Sequence, residues 1–157
     1  MTQVLTHSLQ DVGHSVLGSR QDVSSPRSSE SGVKCASGPA RTHTHLTDAD
    51  AVIATGPRVT RRETYLCKGA VNTARLLHLT RKEVYDIAKD HNANVLLNEE
   101  WSCDIKNPWY RSKDEYKAII QYSANIARSH REDAQKPVAI ENARGIEGVM
   151  IVLERRG

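Results

Sequence analysis

The pattern of apolar and polar positions predicts a helix and then a long strand between residues 82 and 105. One helical face, at the spacing i, i+3, i+4 and i+7, consists of Val84, Ile87, Ala88 and His91. Asn92 tolerates the left-handed conformation that often ends a helix, and after it the period changes to that of a strand. One strand face then consists of Val95, Leu97, Glu99, Trp101, Cys103 and Ile105. This face is apolar except for Glu99.

Three further segments, residues 64–71, 116–126 and 149–153, have the character of strands. Residues 106–114 (KNPWYRSKD) have the turn chemistry of a hairpin tip, which would pair the strand at 95–105 with the one at 116–126. This order predicts the α+β class. We expect a small antiparallel-rich sheet, β-α-β-β-(α)-β, in the ferredoxin-like split βαβ arrangement with one main helix.

The sequence contains end signals for two helices, the main helix and a short second one. Thr80 and Glu83 fit a capping box at the start of the main helix. Residues 72–79 form either a loop before that helix or a backward extension of it. Pro137 and Gly145 fit the first turn and the end of a short second helix.

The composition divides the chain in two. All seven aromatic residues lie between Tyr65 and Tyr122, and nine of the thirteen serines lie in the first 39 residues. The N-terminal part shows no sustained periodicity and could not bury enough apolar surface to offset chain entropy. We therefore predict a disordered N-terminal arm over residues 1–62 and an α+β domain over residues 63–157.

Charge and cysteine content exclude several classes of protein. The formal net charge is only +3 without a dense basic stripe, so we expect no nucleic-acid partner, and no apolar run is long enough to span a membrane. Cys35, Cys67 and Cys103 form no CxxC pair, which predicts reduced thiols in a cytoplasmic protein, with Cys67 and Cys103 as core residues. A weak apolar stripe in the first 17 residues makes a mitochondrial protein the alternative. No Gly-rich phosphate loop or metal-ligand motif occurs, so no cofactor is predicted.

Residues 90–105, DHNANVLLNEEWSCDI, resemble a group of short uncharacterised fungal proteins. The shared pattern is an Ala-Asn-hydrophobic run, an acidic residue, Trp and Cys, and a later Gly-hydrophobic strand, here Ala93, Asn94, Glu99, Trp101, Cys103, Gly148 and Val149. The turn after the helix is also similar to that of small oligomeric heavy-metal-binding domains. The resemblance covers at most residues 64–154. It implies a homo-oligomer, and it supplies neither a metal-ligand set nor a catalytic residue.

Glu99 is the first candidate for a catalytic residue, because burial on an apolar strand face would suit a carboxyl group to general acid–base chemistry. Alternatively, the strand runs past the core there, or a cation pairs with Glu99. Candidates for that cation are Arg75, Arg81 and Lys117. His91 is the second catalytic candidate, with a helix-capping role as the alternative. Cys103 could be a nucleophile only if His91 or His78 approached it.

The aromatic residues are the candidates for ligand or partner binding. Trp101 and Tyr122 would stack on a flat ligand or lie between two subunits packed sheet to sheet, with core packing as the alternative. Trp109 and Tyr110 lie on the predicted hairpin tip at 106–114, where they would contact a protein partner.

Three functional hypotheses follow from these residues. The first is a non-enzymatic, homo-oligomeric domain, a dimer or larger, that binds a ligand or partner protein. The alternative is a small cofactor-independent isomerase, cyclase or lyase with Glu99 as its acid/base. The third is a weak metal-binding protein that uses His43, His45 and a thiol, since the two imidazoles share one side of an extended chain.

Overall fold

The computed structural model describes residues 32–108 and 110–157, which form five strands, one α-helix and two 3₁₀ turns. In chain order these elements are β1 (Val33–Ala36), a 3₁₀ turn (Thr44–Leu46), β2 (Val52–Lys68), α1 (Thr73–Asp90), β3 (Val95–Lys106), β4 (Glu115–Ser129), a second 3₁₀ turn (Ile140–Asn142) and β5 (Ile151–Arg156). In this described part of the chain, α1 and the 3₁₀ turns are too short or too polar to cross a membrane.

The five strands form one antiparallel sheet in the order β1-β3-β4-β2-β5. The connection between β2 and β3 runs through α1, and β4 lies between these two strands. The helix packs on one face of the sheet, over β2, β3 and β4. The main core fills the space between them and includes Tyr65, Leu76, Leu77, Leu96, Ile105, Ile120 and Tyr122. The structure confirms the predicted α+β class with one main helix.

The domain begins earlier than the sequence predicted. β1 pairs with β3, and β2 pairs with β4 from Val52 onwards, so the ordered sheet includes residues assigned to the disordered arm of 1–62. The first half of β2 was assigned to this arm because residues 19–60 are rich in Ser, Gly, Pro, Thr and Arg and show no sustained periodicity. The second half contains a charged residue, Glu63. Glu63 is nonetheless buried, and Arg155 and Arg61 bind its carboxylate. The part of the predicted arm before residue 32 lies outside the described residues.

The helix begins seven residues before the predicted capping box. Asn72 is its N-cap, and the Asn72 side chain accepts a hydrogen bond from the backbone N–H of Arg75 at 3.1 Å. Thr80 lies inside the helix and donates its hydroxyl to the carbonyl of Leu76 at 3.1 Å. The extension over residues 72–79 is therefore helical, and the capping-box prediction is wrong. Asn92 has a φ of 59° after the helix, which confirms the predicted end.

The predicted short helix between Pro137 and Gly145 is reduced to a single 3₁₀ turn. The segment around it, residues 130–150, crosses from the end of β4 to the start of β5. Backbone hydrogen bonds between Val71 and Ile146 attach this segment to the start of α1.

Candidate functional site

A β-bulge in β3 determines where Glu99 points. Between the paired positions Leu97 and Glu100, β3 has one residue more than the opposite strand, and Asn98 has a φ of 48°. The bulge reverses the alternation, so that Leu96 joins the main core while Val95 and Leu97 pack on the other face. Beyond the bulge, Glu99 points towards α1, as the sequence predicted for the strand face after residue 98.

The carboxylate of Glu99 is completely buried and bound by several side chains. Arg81, from α1, donates from Nε to Oε1 at 2.6 Å and from Nη2 to Oε2 at 3.3 Å. The Tyr122 hydroxyl, from β4, donates to Oε1 at 2.7 Å. His43 Nε2 lies 3.4 Å from Oε2. The alternative in which Arg81 pairs with Glu99 is therefore the one that the structure supports.

Asp133 is a second buried carboxylate on the same arginine. Arg81 donates from Nη1 and Nη2 to the two Asp133 oxygens at 2.7 and 3.0 Å. The backbone N–H groups of Leu96 and Gln135 also donate to Asp133, at 3.2 and 2.9 Å. We call the five side chains of His43, Arg81, Glu99, Tyr122 and Asp133 the Arg81 network.

The charges of this network follow from its contacts. Burial alone would raise the pKa of Asp133, but the hydrogen bonds from Arg81 hold it below its ordinary value. Burial also works against the cation, yet hydrogen bonds to Asp133 and Glu99 raise the pKa of Arg81. Burial, reinforced by the charge of Glu99, raises the pKa of Tyr122, so this hydroxyl stays protonated and donates.

The network attaches two irregular segments to the sheet, residues 37–51 between β1 and β2 and residues 130–139 after β4. His43 Nε2 lies 2.8 Å from the carbonyl of Lys136, which can only accept, so this nitrogen carries a proton. The Tyr122 hydroxyl accepts from the backbone N–H of Val138 at 3.3 Å, and Trp101 Nε1 donates to the Val138 carbonyl at 2.7 Å. Residues 130–139 are therefore held over the buried arginine by directed polar contacts.

These contacts place the two catalytic candidates, Glu99 and His91, in separate structural roles. Arg81 and Tyr122 already bind the oxygens of Glu99, which leaves its carboxylate engaged and shielded from solvent. His91 is exposed at the C-terminal end of α1, where its Nδ1 lies 2.9 Å from the carbonyl of Ile87. Its capping role, the alternative weighed from the sequence, is the one observed.

Trp101 and Tyr122 are not available on a sheet surface. Both side chains lie on the helix side of the sheet and are at most 3% exposed. The predicted face-to-face dimer through these residues is therefore wrong, and core packing is what the structure shows. The opposite sheet face presents polar residues such as Ser102 and Gln121. Trp109 lies outside the described residues.

Tyr110 is 63% exposed beside a cavity of about 210 Å³ on this opposite face. The hairpin contributes Tyr110 and Arg111 to the cavity wall, and β5 contributes Glu154 and Arg156. We call this the hairpin cavity. Arg111 pairs with Glu115 at 3.7 Å and Arg156 with Glu154 at 2.6 Å, so both cations are already partnered inside the chain.

β5 forms one edge of the sheet and exposes large apolar side chains. Val149 is 81% exposed just before the strand, and Ile151 and Leu153 are 54% and 47% exposed. We call residues 149–156 the β5 edge. The sequence predicted the strand itself but not its position at an edge, which depends on the pairing of β2 with β4.

The two histidines of the metal hypothesis instead bind the 130–139 segment. His43 Nε2 contacts the carbonyl of Lys136, and His45 Nε2 contacts the carbonyl of Glu132 at 2.7 Å. Within residues 32–108 and 110–157, no group of three or more His, Cys, Asp and Glu side chains is placed to hold a metal ion. Comparison with known proteins found no matching family model, no matching curated protein and no matching solved structure.

Proposed function

We propose that this protein is a non-enzymatic binding domain that forms a homodimer by pairing the β5 edges of two copies. The observation that carries this proposal lies at the edge strand, where Val149, Ile151, Val152 and Leu153 are exposed and Met150 packs against the core. They belong to the apolar run 149–153. All five of its residues, VMIVL, are apolar.

Edge strands normally carry features that prevent association. A strand at the edge of a sheet presents unpaired backbone N–H and C=O groups, and proteins often protect such edges with Lys, Pro or inward charges. The run 149–153 contains no Lys, no Pro and no other charge, and charged residues begin only at Glu154. β5 has a β-bulge at Leu153 where it pairs with β2, and the run carries no other protection of this kind. A strand from another molecule would satisfy the free backbone groups and cover the apolar side chains at the same time.

A second copy of this chain is the occupant that fits the run best. Two antiparallel β5 strands related by a two-fold axis form an isologous, closed contact. When the pairing is centred on Ile151, the two apolar runs coincide and the Glu154–Arg156 segments lie at the rim. Pairing of β5 with the other sheet edge, β1, would instead be heterologous and would place Lys34 close to the apolar run.

The hairpin cavity borders the same edge, because Glu154 and Arg156 belong to both. A strand added at β5 would pass beside Tyr110, whose exposed ring could cover one of its side chains. This arrangement joins the predicted partner contact at residues 106–114 to the edge as one continuous surface. Strand addition commonly takes affinity from the backbone and specificity from such a neighbouring pocket.

The strand order also supports a ferredoxin-like classification. Without β1, the order is β3-β4-β2-β5 and α1 connects β2 to β3, which is a split βαβ unit extended by a last antiparallel strand. Residues 130–150 then replace the second helix, and β1 is an additional strand beside β3.

The test is the molecular mass of the full chain in solution, measured by light scattering and sedimentation equilibrium. We expect a dimer of twice the 17.5 kDa chain mass, and we expect Ile151→Lys or Leu153→Lys to yield a monomer. Ile53→Lys is the matched control, since Ile53 is 53% exposed on β2 rather than on the β5 edge, and it should remain a dimer. A monomeric wild-type chain at about 100 μM, or equal dissociation by the control, would overturn the proposal.

A further inference from the structure

Two cysteines that are 68 residues apart in sequence lie directly opposite each other in the sheet. Cys35 on β1 and Cys103 on β3 are register partners. Opposed residues in an antiparallel pair have Cα atoms about 4.5–5.5 Å apart and side chains on the same face. A disulfide requires a Cα separation of about 4.4–6.8 Å. The backbone therefore already has the spacing that a cross-strand disulfide needs.

The two thiols also interact in the reduced state. Both cysteines are free, and each thiol shifts the pKa of the other. Cys35 Sγ also lies 3.5 Å from the carbonyl oxygen of Arg144. The backbone N–H of Arg144 donates to Cys35 Sγ at 3.2 Å. Cys103 is buried, with its Sγ 4.0 Å from the Thr73 hydroxyl, whereas Cys35 is only partly buried. One thiol of the pair is thus reachable from solvent, and the other is held against it.

We propose that Cys35 and Cys103 are a redox-active dithiol, in which Cys35 reacts with a peroxide and Cys103 resolves the product into an intramolecular disulfide. In the first step, the Cys35 thiolate attacks one peroxide oxygen, the O–O bond breaks, and Cys35 becomes a sulfenic acid as hydroxide leaves. In the second step, Cys103 sulfur attacks Cys35 sulfur, the S–O bond breaks, and water leaves with the Cys103 proton. The peroxide is reduced by two electrons, and the two thiols are oxidised to one disulfide.

The protonation of the pair supports these roles. The hydrogen bond from Cys103, together with the backbone N–H and the positive charge of Arg144, lowers the pKa of Cys35 from 9.0 to about 6 against the opposing effect of burial. The hydrogen bond to Cys35 and burial raise the pKa of Cys103, which therefore keeps its proton. Burial raises the pKa of Cys67 to about 11, so Cys67 is an unreactive internal reference.

The disulfide would fasten an edge strand to the sheet. β1 pairs only with β3 among the described strands, and it leads into the segment that contains His43 of the Arg81 network. Oxidation would fix this segment covalently against the sheet. This inference does not depend on dimerisation, because the pair lies at the β1 side of the sheet and the proposed dimer contact lies at β5.

The experiment treats the full chain with graded hydrogen peroxide and maps the cysteines by non-reducing peptide mass spectrometry. We expect a Cys35–Cys103 linked peptide in the wild-type chain and in the matched control Cys67→Ser. Cys103→Ser should stop at a sulfenic acid that dimedone traps, and Cys35→Ser should form neither product.

Alkylation by iodoacetamide at pH 7 gives an independent readout without an oxidant. We expect Cys35 to react about tenfold or more faster than Cys67, because it is both more ionised and more exposed. Equal alkylation rates, or an oxidised chain whose disulfides are all intermolecular, would overturn the proposal.

Discussion

Replacing Arg81 by Met would test whether the buried network holds the domain together. Arg81 makes two hydrogen bonds to each of two buried carboxylates. Met restores much of the side-chain packing but leaves Glu99 and Asp133 charged, buried and without their cation. Truncating one partner of a buried ion pair typically costs about 3–5 kcal/mol, out of a total of about 5–15 kcal/mol for a small domain. We therefore expect a folded variant with a greatly reduced free energy of unfolding.

The pH dependence of the stability lost in Arg81→Met shows whether an unpaired buried carboxylate causes the loss. In the wild-type chain the lowered pKa of Asp133 contributes stability that is present above the ordinary value near 3.9 and lost as the pH falls through the folded value. Without the guanidinium, burial dominates at Asp133, and protonating this carboxylate relieves the variant. The difference in unfolding free energy between wild type and Arg81→Met should therefore be largest at pH 7 and smaller at pH 4.

Urea unfolding followed by circular dichroism at pH 7 and pH 4 measures this difference. Lys82→Met is the matched control, because Lys82 is the next residue on α1, its side chain is 72% exposed, and it pairs with Asp86 at 3.5 Å on the helix surface. We expect the control to change stability by less than about 0.5 kcal/mol. A loss below about 1 kcal/mol for Arg81→Met, or a loss independent of pH, would show that the buried ion pairs do not hold the domain together.

Two further substitutions test local features of the backbone. Asn98→Val should cost about 1–2 kcal/mol because a β-branched residue disfavours the φ of 48° at the bulge, whereas Asn98→Gly should cost much less; equal losses in urea unfolding would contradict this account. Asn72→Ala should cost about 1 kcal/mol through loss of the helix cap, and Asn72→Ser should retain most of that stability; the prediction fails if the Ala and Ser variants unfold at the same urea concentration.

The parts of the fold that could be predicted are those whose own residues show the pattern. The predicted strands at 95–105 and 116–126 closely match β3 and β4, because an alternating buried face is visible within each segment. β1 has only four residues, too few for a period, and its burial depends on pairing with β3. The first half of β2 was missed because its residues show no apolar period of their own, and pairing with β4 is what makes them a strand.

Of the ion pairs in the candidate site, only the one between Glu99 and Arg81 could be predicted from the sequence. Glu99 is conspicuous because a charge interrupts an apolar face, and Arg81 is one of three cations that the sequence offers as its partner. The positions of Asp133 and His43 depend on how two irregular segments dock, which no local pattern encodes. The Cys35–Cys103 pair escaped for the same reason, because strand register, and not spacing along the chain, brings these residues together.

The run Val95–Leu97 explains why alternation alone could not locate the bulge. Three consecutive apolar residues are compatible with either face of the sheet. In a strand without a bulge, Val95 and Leu97 would join the main core on the side of Glu99, and Leu96 would lie on the opposite face. The observed strand does the reverse, and it can do so because Leu46 covers the second face. A register shift of one residue past Asn98 would turn Glu99 away from Arg81 and leave a buried guanidinium with a single carboxylate partner. The same shift would turn Trp101, Cys103 and Ile105 out of the core, so the Arg81 network and these apolar residues favour the same register of β3.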